Sequence, residues 1–172
     1  GYLTDAVLLP YPGEATPELP GFAAWEDWLD SSENTPLEYA QLPFDHPLYI
    51  LFSSGTTGLP KAIVHRAGGA LLKQHLEHSL HCDIRARDRV FYFSTCGWMM
   101  WNWQLAALAQ GATLLQFEGS PVHPGPEVLW QFAERERATF FGTSARYLHG
   151  LQALGYAPGK EHDLAALRTL AS

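Results

Sequence analysis

Nine consecutive residues, Ser53-Ser54-Gly55-Thr56-Thr57-Gly58-Leu59-Pro60-Lys61, carry the densest chemistry in the chain. They place hydroxyls, glycines and one lysine between two apolar stretches, Leu48-Tyr49-Ile50-Leu51-Phe52 and Ala62-Ile63-Val64. Glycine lets the backbone turn tightly and brings its N–H groups close to a ligand. Hydroxyls add donors and acceptors, and the lysine adds a mobile positive charge. Such a loop suits the phosphates of a nucleotide. A Ser/Thr/Gly run is more often a plain turn. A third reading, the common NTPase phosphate loop, fails on spacing. It needs Gly-Lys-Ser/Thr opening a helix, whereas Lys61 follows Pro60 and no hydroxyl follows it. The residues after Lys61 are mostly β-branched and favour a strand. The expected geometry is therefore strand, loop, strand.

Gly97-Trp98-Met99-Met100-Trp101-Asn102-Trp103 is the second candidate segment. An aromatic and methionine stripe is ordinarily packing. Trp98, Trp101 and Trp103 cannot share one helix face at 3.6 residues per turn, so these rings need more than one environment. Gly142-Thr143-Ser144 ends a predicted strand and opens a helix. A hydroxyl there caps the helix. The carboxyl edge of a parallel strand is also where α/β ligands bind, and the free N–H groups favour an anion. His65, His75, His78, His81 and His123 have no acid or cysteine at metal-ligand spacing. His75 and His78, three apart, are weak evidence for a metal, and no metal site is assigned. Cys82 and Cys96 read as free cytosolic thiols, with one disulfide as the alternative.

The elements that must position these segments follow from periodicity. Ala6–Leu9 predicts a strand, residues 10–20 a Pro/Gly loop, Phe22–Leu29 a short helix and Ser31–Gln41 a polar connection. From Leu48 strands and helices alternate. A helix follows Gly68-Gly69, with Leu72, Leu76 and Leu80 at fourfold spacing. Arg89–Ser94, Thr113–Phe117 and Thr139–Phe141 are predicted strands, and a further strand starts at Leu167–Leu170. Helices are predicted over Trp98–Ala109, from Pro126, where proline suits a first turn, and over Ser144–Leu154. In the Pro126 helix Val128, Leu129 and Phe132 point inward. This alternation predicts an α/β fold with a largely parallel sheet flanked by helices.

Composition narrows the function classes. The chain has 172 residues, 47% of them hydrophobic, which argues against disorder. Its net charge is −7 with no basic run in the sequence, which argues against nucleic acid as a partner. No apolar run approaches the roughly 20 residues of a membrane span. The amino terminus lacks the basic-then-apolar layout of a signal peptide, so a cytoplasmic location is expected.

The Ser53–Lys61 run resembles the phosphate-loop signature of the adenylate-forming acyl-CoA synthetases, Ser/Thr-Ser-Gly-Ser/Thr-Thr-Gly-x-Pro-Lys, at every defined position. Phe44-Asp45-His46-Pro47-Leu48-Tyr49, Gly97 to Asn102 and Phe141-Gly142-Thr143-Ser144-Ala145 extend the resemblance from Phe44 to Ser172. They narrow it to the branch that activates acetoacetate. The resemblance implies a ligase that joins acetoacetate to ATP as an acyl-adenylate and passes the acyl group to coenzyme A. A ligase for another short acyl or oxo acid is the alternative within the family; a non-catalytic fold fragment is the alternative outside it. It further implies that Ser53, Ser54, Gly55, Thr56, Thr57 and Gly58 hold the ATP phosphates, bridged by magnesium. Lys61 then acts in catalysis or anchors the loop, if it is not simply a solvated lysine. Trp98, Met99, Met100, Trp101 and Asn102, with Gly142, Thr143 and Ser144, would line the acyl pocket and coenzyme A channel. Relative to acetate-activating members, Met99, Met100 and Trp101 are bulkier. Asn102 is suited to hydrogen-bond an oxo group, to cap a helix or to face water.

Residues 1–43 form a less distinctive lead-in, and residues 44–172 a partial AMP-binding domain. The family's Tyr-Gly-x-Thr-Glu element, ribose-binding Asp, hinge and carboxyl-terminal lysine do not occur in the sequence. The expectation is an internal piece of a longer enzyme, inactive alone and prone to self-association through an unpaired strand edge near Thr169–Ser172.

Overall fold

The computed structural model describes residues 6–10, 13, 15, 17–30, 36, 38–53 and 58–172. They fall into two compact units, 1–41 and 42–172. In the first, β1 (Val7–Leu8) pairs in parallel with β2 (Ala23–Ala24). The predicted helix begins later than expected, as α1 (Trp25–Asp30), because Ala23 and Ala24 are drawn into that pairing. Trp25 and Trp28 stack with ring centroids 5.5 Å apart. Most of the polar connection 31–41 lies outside the described residues.

The second unit opens with an antiparallel hairpin, β3 (Pro47–Ser53) and β4 (Lys61–Arg66). It is a two-stranded sheet separate from the parallel one. The strand–loop–strand expectation therefore holds. Helix α2 (Ala67–Leu76) follows without a break and continues as a π-helical turn, Glu77–His81. The segment before the hairpin is tied to its start, since Gly68 N–H donates to the Phe44 carbonyl at 2.9 Å. A Cβ at Gly68 would collide with the Phe44 ring, so only glycine allows that approach.

The leucine stripe of this helix does not face the core: Leu72 is 61% and Leu80 73% exposed. The inward side instead carries Ala70, Gln74, Glu77 and the fully buried His78. Gln74 donates to the Tyr49 hydroxyl at 3.1 Å, and His78 packs edge-on against Trp103 at 4.3 Å. Small and hydrogen-bonding side chains permit a closer approach here than leucines would.

The main sheet has the order β6-β5-β7-β8, all parallel, with β5 at Arg89–Tyr92, β6 at Thr113–Leu115, β7 at Phe140–Gly142 and β8 at Thr169–Ala171. Side chains alternate across it. Val90 and Phe140 meet Trp103 and Ala107 on one face. Those residues belong to α3 (Met99–Leu105) and the 3-10 turn Ala106–Gln110 that follows it. Phe91, Leu115 and Phe141 meet α4 (Val128–Arg135) and α5 (Ala145–Ala153) on the other. A short α6 (Pro158–Glu161) precedes β8. Both faces of β5 and β7 are covered, as a parallel sheet requires.

The chain runs from β5 outward to β6 through α3, returns past β5 through α4 to reach β7, and continues to β8. Right-handed crossovers in opposite directions put α3 and α4 on opposite faces. Strand β8 is left at the sheet edge. No helix among the described residues is long and apolar enough to cross a membrane.

Candidate active site

The reversal of strand direction falls between β5 and β7, and the carboxyl ends of such strands frame the ligand crevice of an open α/β sheet. The two segments leaving those ends are the ones singled out by residue type. Phe93–Trp98 leads from β5 into α3, and Thr143-Ser144 leads from β7 into α5. They are held side by side: Phe93 N–H donates to the Gly142 carbonyl at 2.9 Å, and Thr143 N–H donates to that of Ala171 at 3.0 Å. Tyr92 and Gly142 are register partners, and a Cβ at Gly142 would strike the Tyr92 ring. Glycine at 142 thus lets the Tyr92 ring lie across the strand end, with Trp103 against it at 5.9 Å. Burial pushes the Tyr92 phenol above its ordinary pKa.

The three tryptophans do separate. Trp98 is 63% exposed at the mouth of α3, Trp101 is half-buried, and Trp103 is buried against the sheet. Met99 is exposed, while Met100 packs on the Val90–Trp103–Phe140 cluster. Asn102 faces elsewhere. With Leu105 and Ala106 it meets Leu48 and Tyr49 of the hairpin and Leu71 and Gln74 of α2 around a cavity of about 300 Å³. Helix α3 therefore starts at the crevice, and its Asn102 and Leu105 share a cavity with Leu48 and Tyr49 of the hairpin.

Ser144 caps α5, accepting from Tyr147 N–H at 3.2 Å. Thr143 is buried, and its hydroxyl has no partner among the described residues. An unpaired buried hydroxyl at a strand's carboxyl end is costly unless something else completes it.

At the hairpin, Ser53 and Lys61 are register partners, with Lys61 N–H reaching Ser53 Oγ at 3.4 Å. Lys61 is exposed, and no ion pair engages its ammonium among the described residues. Gly58, Leu59 and Pro60 form an exposed bend. Ser54, Gly55, Thr56 and Thr57 lie outside the described residues. Tyr49 ties the hairpin base to its surroundings through Gln74 and through His65, whose ring lies 5.1 Å away.

Sequence reasoning does not single out Tyr92 or Gln74, and weighs His78 only as one of a weak metal pair. Tyr92 matters only once β5 and β7 pair. His78 sits with both ring nitrogens unpaired among the described residues, and burial lowers its pKa. His75 is exposed and meets Gln110 Nε2 through Nδ1 at 2.7 Å.

The chain matches the family model described as AMP-binding enzyme over residues 8–172, and it belongs to that family. The match takes in residues 8–43, which the motif-based resemblance leaves out. The chain is similar to acetoacetyl-coenzyme A synthetase of Rhizobium meliloti (strain 1021), at 48% identity over 169 residues, covering 96% of this chain and 26% of that protein. Acetoacetyl-CoA synthetase of Mus musculus is 44% identical over 177 residues, covering 99% of this chain and 26% of that protein. Among solved structures, acetoacetyl-CoA synthetase from Streptomyces lividans superposes with a TM-score of 0.83 at 42% identity, over 98% of this chain and 25% of that one. The chain thus spans about a quarter of the length of these relatives.

Proposed function

We propose that this chain supplies the phosphate-binding hairpin and the acid-binding crevice of a ligase that activates acetoacetate with ATP and transfers the acyl group to coenzyme A. The observation that carries the reading is the route of α3. One helix begins at the β5/β7 crevice and borders the hairpin whose loop bears Ser53 to Lys61. An acid and a nucleotide bound at these two places would share one framework, and in-line displacement at phosphorus depends mainly on such positioning.

In this reading the loop's N–H groups and the hydroxyls of Ser53, Ser54, Thr56 and Thr57, with Gly55 and Gly58 allowing close approach, cradle the β- and γ-phosphates. The donor set fits phosphate: hydroxyls, glycine N–H groups and an exposed lysine with no ion-pair partner among the described residues. Magnesium, a hard cation that takes oxygen ligands, would neutralise charge on the phosphates that these residues hold. Lys61 offers its ammonium to the departing charge. The acid carboxylate attacks the α-phosphorus and pyrophosphate leaves; the coenzyme A thiol then attacks the acyl carbon and AMP leaves. Met100 and Trp101 shape the acyl side. Thr143, whose hydroxyl has no partner among the described residues, bonds a substrate oxygen, and Asn102 serves the hairpin side.

The 172-residue chain by itself does not turn over, because ribose, adenine and magnesium need further positioning groups. It also self-associates. Phe52 is 70%, Ile50 55% and Val64 53% exposed on the hairpin, and β8 is an open edge. Light scattering on the purified chain tests this, and a stable monomer at micromolar concentration contradicts it.

The function is tested by exchanging this chain for the matching segment of the Rhizobium meliloti relative. The graft should release pyrophosphate only when acetoacetate is added with ATP. Release with no dependence on any short acid refutes the reading.

A further inference from the structure

The amino-terminal end of the parallel sheet, opposite the crevice, carries an arginine cluster. Arg89 opens β5, Arg168 immediately precedes β8, and Arg135 and Arg137 lie where α4 ends and the chain turns toward β7. With Glu136, Thr139 and Ala166 they line a cavity of about 440 Å³. The chain has 11 basic against 18 acidic residues, so four guanidinium groups facing one lining carboxylate invert the prevailing sign.

Some of this charge is already engaged. Glu136 bridges Arg89 at 2.9 Å and Arg135 at 3.1 Å. Arg168 is held by Asp88 at 2.6 Å and Asp83 at 3.3 Å. Arg137 has no carboxylate partner among the described residues, and only the Nε of Arg135 is engaged by a carboxylate. Arg137 also sits at φ +48°, a left-handed conformation uncommon for a side chain of its size. The other non-glycine residues described with positive φ, Asp83 and Arg87, lie in the loop entering β5 at the same end. Backbone strain of this kind collects at functional positions.

We propose that this cavity binds a small anion carrying two adjacent phosphates, held by Arg137 and Arg135 and completed by Arg89. The guanidinium fork matches phosphate oxygens in pairs. The volume lies in the range of small-molecule pockets rather than that of a lone ion. Glu136 is the placeholder: it pairs Arg89 with Arg135 when no anion is bound and yields when one is. This site is independent of the ligase reading, since it lies at the other end of the strands from the crevice.

The test uses the 172-residue chain carrying Lys61→Ala, which removes the lysine of the hairpin loop, and inorganic pyrophosphate as the probe in titration calorimetry. Arg137→Gly relieves the left-handed strain and so should fold, and it should weaken binding by about tenfold, as loss of a charge-assisted hydrogen bond does. Arg135→Ala should do the same, and Glu136→Gln should tighten binding. Binding that is unchanged in Arg137→Gly, absent in the Lys61→Ala chain while present in the unsubstituted one, or equalled by sulfate at the same ionic strength overturns the proposal.

Discussion

Replacing Gly142 with alanine tests how the crevice is held. Gly142 and Tyr92 face each other across the β5/β7 pair, and the added Cβ would meet the body of the Tyr92 ring, not its flexible tip. The ring cannot simply swing away, because Trp103 stands against it at 5.9 Å. Overpacking of this kind costs about 1–3 kcal/mol. In a chain of this size 1 kcal/mol moves the melting temperature by about 2–4 °C. Gly142→Ala should therefore lower it by roughly 2–12 °C. Tyr92→Ala alone leaves a cavity and should also destabilise. In the double variant the alanine at 142 has no ring to meet, so the two losses should fall short of additivity by about 0.5–3 kcal/mol. Urea unfolding of all four forms measures this. Additive losses, or an unaffected Gly142→Ala, would show that the Tyr92 ring is not pinned as described.

Two further outcomes follow from buried charge. Burial holds the His78 imidazole below its ordinary pKa, with Glu77 pulling the other way and His75 adding to the effect. The unfolded chain takes up a proton as pH falls below about 6.5 while folded His78 resists, so its share of stability is present above that pH and is lost below it. His78→Leu should flatten the decline in urea midpoint between pH 7 and pH 5, and an unchanged slope would contradict this. At Asp88 burial works against ionisation, but the Arg85 amide and the Arg168 guanidinium outweigh it and keep the carboxyl below its usual range. Asp88→Asn should cost about 1–3 kcal/mol at neutral pH, toward the lower end because Arg168 is half-exposed. A loss below about 0.5 kcal/mol would mean solvent replaces the pair.

The sequence disclosed most where local chemistry decides the structure. The β-branched residues after Lys61 predicted the strand that the hairpin shows, and impossible face-sharing predicted the divergence of Trp98, Trp101 and Trp103. It disclosed least where partners are remote. Nothing local says that β7 rather than β6 follows β5 on the crevice side, and Tyr92 gains its role only from register with Gly142. Leu72, Leu76 and Leu80 advertised a core face, yet the helix turns Gln74 and His78 inward, because those side chains find Tyr49 and Trp103. Trp130 is buried beside Leu129, a place that its polar indole N–H does not advertise. Proline at the start of α6 is a legible first-turn signal. The loop roles of Ser54 to Thr57 rest on the resemblance.

The division of labour between hairpin and crevice is open to one kinetic measurement on the Rhizobium meliloti graft. Values of kcat/KM are taken for ATP and for acetoacetate, acetate and a longer acid, in the parent graft and in Lys61→Ala, Met100→Ala and Trp101→Gly. Lys61→Ala should depress kcat/KM for ATP with the order of acids kept. Met100→Ala and Trp101→Gly should reorder the acids, where one methylene is worth about 1–3 kcal/mol, with kcat/KM for ATP nearly kept. Acid preference unchanged by both crevice substitutions, or altered by Lys61→Ala, would contradict the assignment of the two places to the two substrates.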